Sequence, residues 1–242
     1  MAVRPRPPGG RLVFPLRICY TPPPGEVPIG PEAPVLNALR MADTAFTYLR
    51  SPRLTLRRLQ AGDLAYFCEY RSNPEVACYQ SWDTFTPADG ERLLEQQSVL
   101  YPDVEGTWFQ MVIVLTASGA LVGDCGLHCR QDDPRQGEIG ITLAPEHQGK
   151  GYAVEALGCV LDYVFFTLGK HRITAITDAD NAAAARLLER VGFRREGHFI
   201  RNIWFKGKWG DEFLYAILHA EWEQNQRTLL SVRPPDLRRR GD

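Results

Sequence analysis

The residues best suited to chemistry lie in one short loop and on the segment before it. The loop is Gln148-Gly149-Lys150-Gly151-Tyr152-Ala153, and the segment is Glu138-Ile139-Gly140-Ile141-Thr142-Leu143. Successive backbone N–H groups in a glycine loop form an anion-binding concavity, and a following helix adds the positive end of its dipole. Gly149 and Gly151 supply conformations closed to other residues and let a ligand approach the backbone closely. Lys150 adds a charge that can meet phosphate. The spacing is neither Gly-x-Gly-x-x-Gly nor that of a P-loop, so dinucleotide and ATP readings lose their usual support. A glycine pair before a helix is by itself often only a tight turn, so its neighbours decide.

Those neighbours form one α/β pattern. Arg53-Leu54-Thr55-Leu56-Arg57 alternates as a strand does, and Asp63 to Arg71 is helix-like up to Asn73-Pro74. Thr86-Pro87-Ala88-Asp89 has the form of a helix start, with an N-cap hydroxyl, a first-turn proline and an acid at the third position. Trp108 to Leu115 and Ala120 to Arg130 read as a hairpin about Ala117-Ser118-Gly119, and Glu138 to Leu143 as the next strand. After the glycine loop, Leu157, Val160, Leu161, Val164, Phe165 and Leu168 share one helical stripe closed by Gly169. A strand at Arg172 to Thr177 and a helix at Ala182 to Val191, closed by Gly192, come next. Two last strands, Phe199 to Phe205 and Glu212 to Leu218, flank Lys206-Gly207-Lys208.

In this setting the chain resembles the GNAT N-acetyltransferases, in particular the RimJ/RimL-type branch of ribosomal-protein N-terminal acetyltransferases. The match runs through Glu138-Ile139-Gly140-Ile141-x-Leu143-x-Pro145-x-x-Gln148-Gly149-Lys150-Gly151-Tyr152-Ala153-x-Glu155-Ala156-Leu157. Arg53-Leu54-x-Leu56-Arg57, Asn181, Arg186 to Phe193 and the Gly207 to Asp211 turn also fit. The resemblance spans about Ser51 to Glu221. It implies a mixed, mostly antiparallel sheet with helices on both faces, an α/β (α+β) fold. Glu138–Leu143 and Arg172–Thr177 would splay apart to admit the pantetheine arm of acetyl-CoA. Gln148, Gly149, Lys150, Gly151, Tyr152 and Ala153 would then hold the pyrophosphate. The backbone of Ile141 and Leu143 would pair with the arm, and Asn181 would both cap its helix and contact the arm near sulfur.

The implied reaction is acetyl transfer to a primary amine, either a protein N-terminus or a small molecule. A protonated alkyl amine must lose a proton before it attacks a thioester. Glu138, at the start of the cleft-lining strand and on the face opposite Ile139 and Ile141, is the candidate base. An ion-paired strand-end carboxylate is the alternative reading. Asp124 and His128, on one face of the adjacent strand, are weaker candidates. Relatives often carry a serine three residues after the asparagine, proposed as the acid for the leaving thiolate; Ala184 stands there, and no acid is identified. That departure keeps open a non-catalytic CoA-binding sensor, and transfer of another acyl group is a further alternative. The aromatic residues Trp82, Phe85, Trp108, Trp204, Phe205 and Trp209 read as core and hairpin packing, with Trp82 and Phe85 near where relatives admit substrate.

The rest of the sequence bounds these expectations. Of 242 residues, 44% are hydrophobic and 24% charged, with a formal net charge of -1, so no general attraction to nucleic acid or acidic membranes is expected. No apolar run spans a bilayer, and no secretory leader is recognised, which suggests a cytoplasmic protein. Six scattered cysteines then read as reduced core residues. Cys125 and Cys129 would sit about 13 Å apart along a strand, with His128 on its other face, so no metal site is expected. Residues 1–40 are proline-rich and without periodicity, which suggests disorder, with Met41 a candidate start. Residues 41–230 read as a single domain and 231–242 as a loose tail. Relatives are often dimers, so a homodimer is a further expectation.

Overall fold

The computed structural model describes residues 43–232. The Pro-rich segment, Met41 and all but the first two residues of the expected tail lie outside the described residues. In chain order the strands are β1 (Tyr48–Arg50), β2 (Leu54–Arg58), β3 (Trp108–Leu115), β4 (Leu121–Cys129), β5 (Gln136–Leu143), β6 (Arg172–Asp178), β7 (Arg194–Phe205) and β8 (Lys208–Leu218). They form one sheet in the order β1-β2-β3-β4-β5-β6-β8-β7, in which only β5 and β6 run parallel. The helices are α1 (Leu64–Ser72), α2 (Pro74–Ala77), α3 (Pro87–Ser98), α4 (Tyr152–Asp162), α5 (Ala182–Val191) and α6 (His219–Val232).

Helices cover both faces, so the central strands are apolar on both sides, and β3 reads as a near-continuous apolar run for that reason. On one face, Phe67 and Tyr70 of α1 pack over Val112, Val114 and Leu121. On the other, Leu157, Val160 and Leu161 of α4, Leu187 and Leu188 of α5, and Trp222 of α6 cover Ile139, Ile141, Ile173 and Tyr215. Local signals place the helix ends. Thr86 and Asp89 form a reciprocal capping box at α3, with Pro87 first in the helix. Gly192, at φ 108°, closes α5 in the left-handed conformation. Among the described residues no helix is long and apolar enough to cross a membrane.

Several boundaries differ from the sequence reading. Asn73 does not simply end α1; its side chain accepts from the Glu75 N–H and starts α2. β7 begins at Arg194, five residues before Phe199, and β8 at Lys208 rather than Glu212, so the hairpin is long and its turn short. The extra residues pair across the hairpin although they do not alternate in polarity. α6 runs through Ser231, where a loose tail was expected. Past Asp162, α4 widens into a π-helical turn over Tyr163–Thr167.

The feature that shapes the site is the seam between β5 and β6. Gln136, Gly137 and Glu138 pair with Arg172, Ile173 and Thr174, and the ladder then stops. Beyond it β5 stays paired with β4 as far as Leu143, and β6 with β8 as far as Asp178. The two strands diverge immediately after Glu138, as expected for the splayed pair.

Candidate active site

The wide end of the splay leads to the glycine loop. From Ile139 onward, the β5 edge facing β6 has no strand partner, so its main-chain groups are open to an extended ligand. The Gln148 side chain donates to the Leu143 carbonyl at 3.1 Å and ties the loop to the strand end. Gly149 and Gly151 have φ of 73° and 80°, and Gly151 is the N-cap of α4. A Cβ on Gly149 would meet nothing within 4 Å, so the loop is an open cradle at a helix N-terminus whose first N–H groups lack intrahelical acceptors. Two buried polar atoms beside it, Gln148 Oε1 and His147 Nδ1, have no hydrogen-bond partner. The free strand edge and the open cradle fit a phosphate-bearing ligand with an extended amide arm, and Gln148 Oε1, an acceptor, is left for an N–H donor.

The narrow end holds Glu138. Its buried Oε1 has no hydrogen-bond partner, and its pKa is pushed up to about 7. Burial is the main cause and the charge of Glu212 adds to it, while Arg130 opposes both. Strand register shows what surrounds this carboxyl. His128 is its partner on β4, so both side chains share a face with Cβ atoms about 5 Å apart. The His128 ring stacks on Trp108 at 5.1 Å, and burial lowers its pKa, which favours the neutral imidazole. Gly126 and Gly140 face each other one step along, and the Trp108 ring lies directly over Gly126, 3.0 Å from where a Cβ would stand. Across the seam, Thr174 is the partner of Glu138; two and four residues on, Ile176 and Asp178 point the same way, and Asp178 pairs with Glu212. Glu212 is buried and accepts from Asn202 Nδ2 at 2.6 Å. Above this face, Lys206 at the β7–β8 turn donates to the Trp82 carbonyl and to Asp83, strapping the hairpin to the loop before α3.

A family profile described as an acetyltransferase (GNAT) domain matches residues 53–194. The chain belongs to the GNAT acetyltransferase family. Within it the chain falls in the RimJ/RimL-like group. An uncharacterised N-acetyltransferase, p20 of Bacillus licheniformis, is 30% identical over 174 residues, which are 72% of this chain and 97% of that protein. The spermidine N(1)-acetyltransferase of Vibrio cholerae is 29% identical over 170 residues, 70% of this chain and 95% of that one. The crystal structure of spermidine N-acetyltransferase from Vibrio cholerae with CoA and spermine superposes with a TM-score of 0.62 at 28% identity, covering 72% of this chain and 99% of that one. An acetyltransferase of the same family from Bacillus anthracis gives 0.65 at 29%, with 72% and 99% covered.

The residues expected to hold the cofactor fall on three elements of this fold. Ile141 and Leu143 lie on the free edge, Gln148 through Ala153 form the loop, and Asn181 caps α5 by accepting from the Ala184 N–H at 3.0 Å. Ala184 is fully buried in the core, and the first turn of α5 is Ala182-Ala183-Ala184-Ala185, without a proton donor. Asp124 has another task. It is fully buried, accepts from Arg71 at 2.6 Å, from Gln110 at 2.7 Å and from the Tyr70 hydroxyl, and anchors α1 to the sheet. An uncompensated Arg71 there would be costly, so this carboxylate is structural. Trp204 and Trp209 are not core. They stack edge-to-face at the hairpin surface, 61% and 55% exposed. Sequence reasoning missed Glu212, Asn202, and the pairing of Arg53 with Glu155.

Proposed function

We propose that this enzyme transfers the acetyl group of acetyl-CoA directly to a cationic primary amine, with Glu138 as general base. GNAT enzymes use acetyl-CoA, which supplies the activated acetyl thioester. The loop from Gln148 to Ala153 receives its phosphates, the β5 edge at Ile141 and Leu143 aligns its arm, and Asn181 lies beside the arm's path. Glu138 takes the proton that the amine must lose.

One observation carries this reading: an unpartnered carboxylate oxygen at the vertex of the splay, on a group with a pKa of about 7. A base works best when its pKa lies near the working pH. Near neutrality Glu138 is substantially ionised and still holds a proton well, whereas a carboxyl at the ordinary value would be a feeble base. The free Oε1 supplies a site for that proton.

The same face argues for the acceptor. Glu138, Glu212 and Asp178 share it, and carboxylates there attract a cation and repel an anion. Thr174, beside Glu138, lies four residues from Asp178, about 13 Å along an extended strand. That is the reach of an extended triamine, so a small polyamine fits better than a protein N-terminus with its single charge. Relatives named as spermidine acetyltransferases act on such a molecule. The test is release of free thiol from acetyl-CoA with spermidine, simple monoamines and peptides as acceptors. Spermidine should be the fastest. Faster turnover of peptides would overturn the polyamine assignment, and CoA binding without turnover of any amine would overturn catalysis.

A further inference from the structure

We infer that Arg53 is a phosphate-contacting residue of the acetyl-CoA site and the clamp that fixes the shape of its glycine loop. This rests on the reading of that loop as the cofactor site. Arg53 stands just before β2, 102 residues from its main partner, Glu155 in the first turn of α4. Its backbone N–H donates to Glu155 Oε1 at 2.8 Å and its Nε to Glu155 Oε2 at 2.6 Å. The Ser51 hydroxyl donates to the same Oε1 at 2.7 Å, so this carboxylate is held at three points. Arg53 Nη1 donates to the Lys150 carbonyl at 3.1 Å, inside the loop, and the guanidinium lies 4.8 Å from the centre of the Tyr152 ring.

A guanidinium is planar, with its five donors in a rigid fork. Holding Nε on Glu155 and Nη1 on Lys150 therefore fixes the third nitrogen. Nη2 lies 3.4 Å from where a Cβ would stand on Gly151, the N-cap of α4, and makes no hydrogen bond among the described residues. Nη2 thus sits against the N-cap of α4, at the anion-binding end of the helix. The Arg53 side chain is half exposed although Glu155 is mostly covered, so the ion pair's contribution to stability is modest. The arrangement makes better sense as recognition, because a fork anchored at two corners presents its remaining N–H groups in a fixed direction, as phosphate binding requires. Glu155 offsets much of the charge of Arg53, so directed hydrogen bonds rather than net charge are the main contribution. Lys150, exposed in the same loop, adds a second cation beside them.

The test measures CoA binding to the full chain by calorimetry for the parent, Arg53→Ala, Arg53→Lys and Glu155→Gln, with pantetheine, which lacks the phosphates, in parallel. Arg53→Ala should weaken CoA binding by about ten- to a hundredfold, the range for hydrogen bonds to a charged group. Arg53→Lys should lose nearly as much, because an ammonium cannot bridge Lys150 and Glu155 while presenting a second donor. Glu155→Gln keeps the guanidinium but loosens its aim, and should lose less. The loss should vanish when pantetheine is the ligand. CoA binding within twofold of the parent in both Arg53 variants, or an equal loss for pantetheine, would overturn the assignment. Should Arg53→Ala not fold, Arg53→Lys carries the test alone. A parent that binds no CoA would instead overturn the cofactor reading itself.

Discussion

The loop from Gln148 to Ala153 and the face around Glu138 serve one reaction but are assembled by different rules. The loop is contiguous and works chiefly through main-chain N–H groups, two left-handed glycines and a helix end. The acceptor face draws Trp108, His128, Glu138, Asp178 and Glu212 from five strands, brought to one side of the sheet by register alone. Main-chain recognition demands particular residue types in a fixed order, because only they permit the backbone path. Side-chain chemistry demands only that groups converge. The first kind of site is written locally, and the second is written in the topology.

If the two regions divide the work in this way, substitutions in each should fail differently. The largest effect is expected at Glu138. Glu138→Gln keeps size and hydrogen-bonding reach but loses the ability to accept the amine proton, so turnover should fall by ~10²–10⁴. CoA affinity should hardly change, because the carboxyl faces the acceptor side. The parent rate should fall as pH drops below about 7, where Glu138 becomes protonated, and the mutant should lack that limb. Near-parent turnover in an assay limited by chemistry would remove Glu138 from the mechanism. Gly151→Val should show the converse pattern. A β-branched residue at φ 80° is strained, typically by about 1–3 kcal/mol, and its side chain would also crowd Arg53. CoA affinity should drop by about tenfold or more while the fold persists. A folded variant that binds CoA normally would break the comparison at its cofactor end.

What could be read from the sequence follows the same division. The Thr86-Pro87-Asp89 start of α3, the glycine that ends α5 and the Gln148–Ala153 loop are local, and the structure has them where the residues placed them. The hairpin and the strand after it also put Glu138 on the face opposite Ile139 and Ile141. Other features needed distance to be bridged. Arg53 and Glu155 were each visible within a motif, but nothing in their spacing says that they touch. Glu212 was hidden by the length of the β7–β8 hairpin. A register irregularity between Phe199 and Ile203, with Arg201 left-handed at φ 49°, swings Asn202 onto it, and neither is legible from alternation. α6 is not legible in the sequence because His219-Ala-Glu-Trp-Glu-Gln-Asn-Gln is largely polar, with Trp222 its buried anchor.

The smallest expected effect tests whether Glu212 tunes the base or merely fills space. Glu212→Gln preserves volume and leaves an oxygen to accept from Asn202, so the hairpin should keep its shape. It removes a negative charge whose repulsion disfavours the ionised form of Glu138. Burial remains as the larger cause, so the pKa of Glu138 should stay above the ordinary carboxyl value but fall below its parent value of about 7. The acidic limb of the pH–rate profile must then move toward lower pH. At a pH below that limb more of the variant's Glu138 is ionised, and its rate relative to its own plateau should exceed that of the parent. The plateau itself should drop, because a carboxylate with a lower pKa is a weaker base and because the acceptor loses one attracting charge. A one-unit shift changes the ionised fraction by about tenfold at most, so no rate should change by more than that order from this cause. Loss of Glu138 removes the base, whereas loss of Glu212 only shifts its pKa. A limb that stays where it was, in a variant of parent-like melting temperature, would show that Glu212 has no hold on the base.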